Sequence, residues 1–185
     1  MGLDMYLKAE KYVGGWDKGG KERAEYDQIL AMTGLKRCDD APSATVRVTV
    51  AYWRKANAIH KWFVDNVQGG EENCEESDVS RGQLAELVNL CKSVLDSVET
   101  VEGRVSEGTS YYPDGRVEKH TRAGDVIAQV GIAAAALPTT GGFFFGKTDY
   151  DEDYLADLRD TIKQLEPLLS EEFHKEFSVY YQASW

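Results

Sequence analysis

The residue types best suited to chemistry are concentrated in one segment, Trp53 to Phe63. On a helix, Trp53, Asn57, His60 and Val64 would share a face, because they are four, three and four residues apart. An Asn and a His on a largely apolar face need hydrogen-bond partners, which are backbone groups, a ligand or a catalytic neighbour. Arg54, Lys55 and Lys61 add positive charge nearby. The segment therefore predicts either a satisfied core pair or one wall of a ligand site.

A second candidate is the aromatic run from Phe143 to Phe145, which glycines flank on both sides. Three aromatic side chains on such a loop cannot all enter one core, so they either line a cavity or plug the edge of a sheet. If the loop faces the Trp53 helix, aromatic walls and cationic groups suit a planar anionic molecule such as a nucleotide, with Lys147 at its phosphate. The predicted ligand-binding residues are Trp53, Arg54, Asn57, His60, Phe143, Phe144, Phe145 and Lys147.

The same loop, from Gly141 to Thr148, satisfies the G-x-x-x-x-G-K-[ST] pattern of a phosphate-binding P-loop. The three Phe side chains would crowd the nest of backbone amides, and the acids from Asp149 to Asp153 occupy the place of the terminal phosphates. We therefore expect those acids to cap a helix. They do not predict a calcium loop either, since Tyr154 replaces the required Gly and Asp160 the required Glu. No metal site and no cofactor are expected.

Spacing alone assigns no catalytic triad, Cys–His pair or carboxylate pair. His120 and His174 lie among charged residues and are expected to be solvated. His60 is therefore the candidate general acid or base if the protein is an enzyme.

Composition narrows the classes of partner. The 185 residues contain 32 Asp and Glu against 21 Lys and Arg, a formal charge of -11 that disfavours general binding to nucleic acid or anionic lipid. The run from Val126 to Leu137 is too short to span a membrane, and the first residues lack the apolar core of a signal peptide. Three cysteines without a C-x-x-C pair favour a reducing compartment. We expect a cytoplasmic protein.

Hydrophobic periodicity predicts the elements that position these residues. Alternation predicts strands near both termini and from Ala44 to Val50, with Val46, Val48 and Val50 inward. Helical spacing predicts helices at 21–32, 52–67, 84–98, 125–137 and 155–169, and Ser80 with Gln83 forms a capping box. We expect an α+β fold in which a small mixed or antiparallel sheet, made of both termini and a central strand, packs against three to four helices. One domain, 1–185, would carry a projecting hairpin at about 103–122.

Three blocks of the chain are distinctive in composition: Met1 to Leu7, Trp53 to Phe63, and Leu137 to Glu152 with its triple Phe. In these blocks the chain resembles a family of small uncharacterised proteins from bacteriophages and bacteria. The family carries no established activity, and its members often have Ser in place of Lys147, which weakens the P-loop interpretation. The hairpin around Pro113 is less typical of the family.

The resemblance implies a phage-type protein that binds a small anionic ligand and sequesters a nucleotide-derived signal of host defence, in the host cytoplasm. This expectation is an analogy. One alternative is a small enzyme that acts on a nucleotide-like substrate with His60 as general acid or base. The other is a protein-interaction module that inhibits a host factor through its acidic surface. A homo-oligomer is compatible with each.

Overall fold

The computed structural model describes residues 2–16 and 19–185. Met1, which opens one of the blocks behind the family resemblance, lies outside this range. The strands are β1 (Asp4–Gly14), β2 (Ser43–Arg54), β3 (Ser77–Asp78), β4 (Thr100–Tyr111), β5 (Val117–Ile127) and β6 (Ser178–Ser184). The helices are α1 (Lys21–Thr33), α2 (Asn57–Asn66), α3 (Arg81–Ser97), α4 (Gly131–Ala136), α5 (Glu152–Leu165) and α6 (Glu171–Glu176), with a 3₁₀ turn at Glu166–Leu168.

The four-stranded sheet has the order β2-β1-β6-β3, and its neighbouring strands are antiparallel. The N-terminal strand β1 lies in the middle, paired with β2 on one side and the C-terminal strand β6 on the other. β4 and β5 form a separate two-stranded hairpin. The predicted α+β class, with strands from both termini and from the centre of the chain, is confirmed.

One face of the sheet packs against the helices, because the apolar residues of β1 and β6 alternate with polar ones. Met5, Leu7 and Tyr181 are completely buried on this face. The Tyr181 ring stacks on Phe63 of α2, with ring centroids 4.0 Å apart. The predicted capping box at Ser80 begins α3, and its reciprocal hydrogen bonds with Gln83 are both present.

Two predicted helices begin too early. β2 continues to Arg54 and α2 begins at Asn57, so Trp53 and Arg54 belong to the sheet. β5 continues to Ile127, and the 125–137 helix shrinks to the six residues of α4. Of the valines predicted to point inward, Val48 lies on the face of the buried Ala9 but is 51% exposed at the sheet edge, and Val50, the extra residue at a β-bulge, is partly buried against the core.

No helix in the described part of the chain is long and apolar enough to cross a membrane.

Candidate functional site

His60 lies in the core. Its side chain is packed against the rings of Phe145, Trp185 and Tyr181, at centroid distances of 5.1, 5.5 and 6.3 Å, and it has no exposed surface. Nδ1 forms a 2.7 Å hydrogen bond with the Tyr181 hydroxyl, whereas Nε2 has no hydrogen-bond partner among the described residues. The closest acid, Glu72, places a carboxylate oxygen 3.7 Å from Nε2. Burial lowers the pKa of His60 to about 4, so the ring is neutral at pH 7.

Asn57 joins α2 to the aromatic loop. Its side-chain nitrogen donates to the carbonyls of Phe145 and Lys147, at 3.1 and 2.7 Å, and its side-chain oxygen accepts from the Thr140 amide at 3.1 Å. The structure therefore brings the Trp53–Phe63 segment and the loop together. The indole N–H of Trp53 also has a hydrogen-bond partner inside the protein, because it donates to the Thr161 hydroxyl at 3.0 Å.

The three Phe side chains have different surroundings. Phe145 is buried against His60, and Phe144 is half-buried. Phe143 is 96% exposed, with its ring edge-on to Phe144 at 4.8 Å. The Phe144 carbonyl accepts from the Leu3 amide at 2.9 Å, which fixes the loop beside the start of the sheet.

A cleft of about 730 Å³ opens beside this junction, between the β2–α2 turn, the end of the aromatic loop, α5 and the β4–β5 hairpin. Its charged lining residues are Arg54, Lys55, Arg122, Lys147, Glu107, Asp149, Asp153 and Asp157. Three predicted ligand residues, Arg54, Asn57 and Lys147, line the cleft. The other five, Trp53, His60 and Phe143 to Phe145, do not.

Most of this charge is already paired within the protein. Lys147 Nζ lies 2.6 Å from carboxylate oxygens of both Asp151 and Asp153, and it donates to the Ser106 carbonyl at 3.3 Å. Burial opposes the charge of Lys147, but the bonds to the two aspartates outweigh this effect and raise its pKa. Lys147 is thus a structural cation that holds the start of α5 to the hairpin.

The two cleft arginines are paired as well. Arg122 on the hairpin forms ion pairs with Glu152 and, at 3.2 Å, with Asp153, and the bond to Glu152 raises its pKa. Arg54 lies 3.1 Å from Asp4. Neither guanidinium offers an uncompensated charge to a ligand.

Lys55 differs from the other three cations. Its exposed side chain has no ion pair among the described residues, and its backbone adopts φ +61°, the positive φ of a non-glycine residue. Lys55 N–H donates to the Leu3 carbonyl at 2.8 Å, and the Lys55 carbonyl accepts from Asn57 N–H at 2.8 Å across an inverse γ-turn at Ala56. The stem of Lys55 crosses Gly146, where a Cβ would lie 3.2 Å from the Cβ of Lys55. The turn thus directs Lys55 to the cleft at the cost of backbone strain.

Asp157 is an acidic residue of the cleft that, like Lys55, has no charged partner within the described residues. It is half-buried on α5, one helical turn after Asp153, and its carboxyl forms no hydrogen bond or ion pair within the described residues. Burial, followed by repulsion from Asp153, Asp160 and Asp151, raises its pKa to about 7. The Asp149 carboxyl also has no hydrogen-bond or ion-pair partner in the part of the chain that the structure describes, but Asp149 is exposed to solvent.

Sequence reasoning counted Lys55 among the positive charges near the Trp53 segment but not among the ligand-binding residues, and it missed Asp157. Asp153 and Asp157 are four residues apart, a spacing that places them on one face of a helix. This spacing was the available signal for Asp157. No sequence pattern distinguishes Lys55 from its neighbouring cations, since a lysine at positive φ is rare.

The acids before α5 cap the helix, as predicted. Asp151 is the N-cap, and its Oδ1 accepts from the amides of Asp153 and Tyr154 at 3.0 and 3.4 Å. A carboxylate therefore already occupies the position that a P-loop offers to phosphate. Within residues 2–16 and 19–185, no group of three or more His, Cys, Asp or Glu side chains is arranged to hold a metal ion.

No protein-family model matches the chain, and no curated protein or solved structure is significantly similar to it. The resemblance to the phage and bacterial family stays a prediction.

Proposed function

We propose that this protein binds a small molecule in the cleft, and that the ligand carries an anionic group for Lys55 and a hydrogen-bond donor for Asp157. The observation that carries the proposal is that these two side chains remain without a charged partner in the described residues, whereas Arg54, Arg122 and Lys147 are neutralised internally. A charge that the fold leaves uncompensated in a cleft is available to a ligand.

The cleft suits a small molecule in size and polarity. About 730 Å³ falls within the usual range of small-molecule sites, roughly 300–1,000 Å³. Four cations and four carboxylates line it, so its formal charge is balanced although the whole chain carries -11. A balanced lining favours a ligand with both an anionic end and a donating end. Nucleotides with an amino-bearing base belong to this class. A nucleotide-derived signal of host defence is therefore among the proposed ligands.

Backbone strain at Lys55 is further support. Holding a non-glycine residue at positive φ costs on the order of 1 kcal/mol, and such strain concentrates at functional sites. Here the strained turn sets the direction of the one unpaired cation that lines the cleft among the described residues.

Catalysis is the second candidate, and one observation favours it. A carboxyl group whose pKa is about 7 is suited to give or take a proton at neutral pH. Asp157 lines the cleft and His60 does not, so Asp157 replaces His60 as the candidate general acid or base.

A panel of paired compounds tests the binding proposal by thermal shift. The pairs are adenosine monophosphate against purine riboside monophosphate, and phosphoethanolamine against ethyl phosphate; in each, only the first compound has an amino group. Saturating ligand should stabilise the protein by roughly 3 to 4 kcal/mol at 100 to 1,000 times Kd. The amino-bearing member of a pair should bind more tightly. No shift with any compound would overturn the proposal.

Matched variants locate the site. Lys55→Gln and Asp157→Asn should each weaken binding by about tenfold or more, because a charge-assisted hydrogen bond contributes roughly 1.5–3 kcal/mol. Lys61→Gln and Asp65→Asn are the controls, since Lys61 and Asp65 pair with each other on α2 and neither lines the cleft. Equal loss in the controls would argue for a general charge effect. Product formation during the incubation would decide between enzyme and binder.

A further inference from the structure

The free edge of β2 is an unpaired strand edge. β2 is the outermost strand of the four-stranded sheet, pairs with β1 on one side, and runs for 12 residues. Alternate residues of a strand point their N–H and C=O groups away from the paired neighbour, so this edge carries a row of backbone donors and acceptors. At the far end the Tyr52 amide donates to the Gln164 side chain at 2.8 Å. From Ser43 to Ala51 no described residue forms a hydrogen bond with the backbone groups of the free edge.

The usual protections of an edge strand are few in this stretch and lie at one end of it or are compensated. Proline precedes the strand at Pro42 and does not occur within it, and the β-bulge falls at Val50, near its end. One charged side chain, Arg47, lies between residues 43 and 51. Its charge is compensated by Glu10 at 2.5 Å and Glu76 at 2.8 Å, and its guanidinium lies over the Tyr180 ring. Arg47 therefore does not repel an incoming strand.

The sequence of the edge is nearly symmetric about Arg47. Val46 and Val48 flank it, Thr45 and Thr49 follow, and then Ala44 and Val50. When two copies of this stretch pair antiparallel about a two-fold axis at Arg47, Val46 of one lies opposite Val48 of the other, and Thr45 lies opposite Thr49. β-branched residues directly opposite each other are favourable cross-strand pairs.

The exposed valine of the edge agrees with this pairing. Val48 is opposite Ala9 in β1, and Ala9 is buried on the helix-covered face of the sheet. Val48 thus points to the core face, yet it is 51% exposed, because no further strand lies beyond β2. A second β2 would place a valine beside it.

We propose that β2 pairs with β2 of a second copy of this chain, which joins two four-stranded sheets into a continuous eight-stranded sheet. The interface is isologous, as a closed two-fold dimer requires. This inference does not depend on the cleft, because none of the residues from Ser43 to Ala51 lines it.

Light scattering with size-exclusion chromatography, under reducing conditions, tests the assembly. The expected mass is twice the 20.7 kDa of the chain. Val48→Lys should yield the monomer, because it places a charge against the second copy's Val46. Val130→Lys is the matched control at a valine that is 45% exposed in another part of the surface, and it should remain dimeric. A monomeric wild-type protein would overturn the proposal, and the β2 edge would then be free to pair with a segment of another protein. A dimer that persists in Val48→Lys would overturn it as well.

A crosslink keeps the test decisive if Val48→Lys does not fold. In a Cys38→Ser, Cys74→Ser background, Arg47→Cys places one thiol from each copy at the two-fold axis. Opposed residues in an antiparallel pair have Cα atoms roughly 4.5 to 5.5 Å apart, within the range that a disulfide spans. Oxidised glutathione should convert this variant to a covalent dimer and leave Thr45→Cys uncrosslinked, since Thr45 faces Thr49. Equal crosslinking of both variants, or of neither, would refute the assignment.

Discussion

At the scale of single residues, ion pairing within the protein decides which charged side chains are available to a ligand. Lys147 is the cation that the sequence singles out, yet two aspartates and a carbonyl hold its ammonium group. Lys55 has no such partners in the described structure, and a strained turn presents it to the cleft. A residue type therefore indicates what a side chain can do, but its neighbours determine whether it is free to act.

His60 makes the folded protein sensitive to acid. Burial lowers its pKa from 6.5 to about 4, so between these values the unfolded chain binds a proton that the folded chain does not. The contribution of His60 to the free energy of unfolding is complete above pH 6.5, decreases as the pH falls to about 4, and is then constant. The total loss is roughly 3 kcal/mol, because each pKa unit corresponds to about 1.36 kcal/mol. Urea unfolding between about pH 7 and pH 4 measures it.

His60→Gln is the reference for this measurement. Glutamine retains a hydrogen bond to the Tyr181 hydroxyl but does not titrate, and the carboxylates of both proteins titrate alike. The stability advantage of the wild type over His60→Gln should therefore shrink as the pH falls. An advantage that does not change with pH would show that His60 is not held neutral in the fold.

At the scale of elements, Asn57 fixes the aromatic loop to α2. Asn57→Ala leaves two carbonyls and one amide without their partner, and an unsatisfied buried group costs about 1–3 kcal/mol. We expect a loss of roughly 2–3 kcal/mol in the free energy of unfolding, together with faster hydrogen exchange across residues 139–147. Urea unfolding and exchange mass spectrometry measure the two effects.

Asn66→Ala is the matched control, because the Asn66 amide group donates to the Trp62 carbonyl alone among the described residues. It should cost about 1 kcal/mol or less and leave exchange in the loop unchanged. Unchanged loop exchange in Asn57→Ala would mean that other contacts hold the loop.

The sequence predicted those elements whose signals are local. Alternation along β1 and β6 marks a half-buried strand wherever it occurs, and the Ser80–Gln83 capping box is complete within four residues. The predicted start of α2 was wrong for a physical reason. Trp53 and Asn57 have helical spacing, but the chain between them turns at Lys55 and Ala56, neither of which is a typical turn residue.

The site could be predicted only in part. The sequence predicted a ligand site on the condition that the Trp53–Phe63 segment and the aromatic loop face each other, and the structure brings them together through Asn57. The cleft itself was not predicted, since the β4–β5 hairpin and α5 complete it from distant parts of the chain. The spacing of residues along the sequence does not determine which carboxylates lie close enough to pair with Lys147 and Arg122. It therefore does not show which charges stay unpaired.

At the scale of the whole molecule, the cleft and the protein differ in charge. The cleft lining is balanced, whereas the chain carries -11. An anion that approaches from solution therefore first meets the negative field of the whole protein, and Lys55 attracts it only at short range. The screening length is about 30 Å at 0.01 M salt and about 10 Å at 0.1 M, so salt weakens the long-range repulsion most.

The association rate of an anionic ligand should therefore increase with salt, opposite to the usual behaviour of a protein that attracts its ligand electrostatically. For adenosine monophosphate, stopped-flow measurements from about 0.01 to 0.2 M salt should show a rising association rate constant, whereas uncharged adenosine should show little change. Lys55→Gln should slow binding of the nucleotide without reversing this trend, because it removes a short-range attraction and leaves the overall field in place. A rate constant that falls with salt would mean that the field at the cleft mouth is positive, and that local cations outweigh the net charge of the chain.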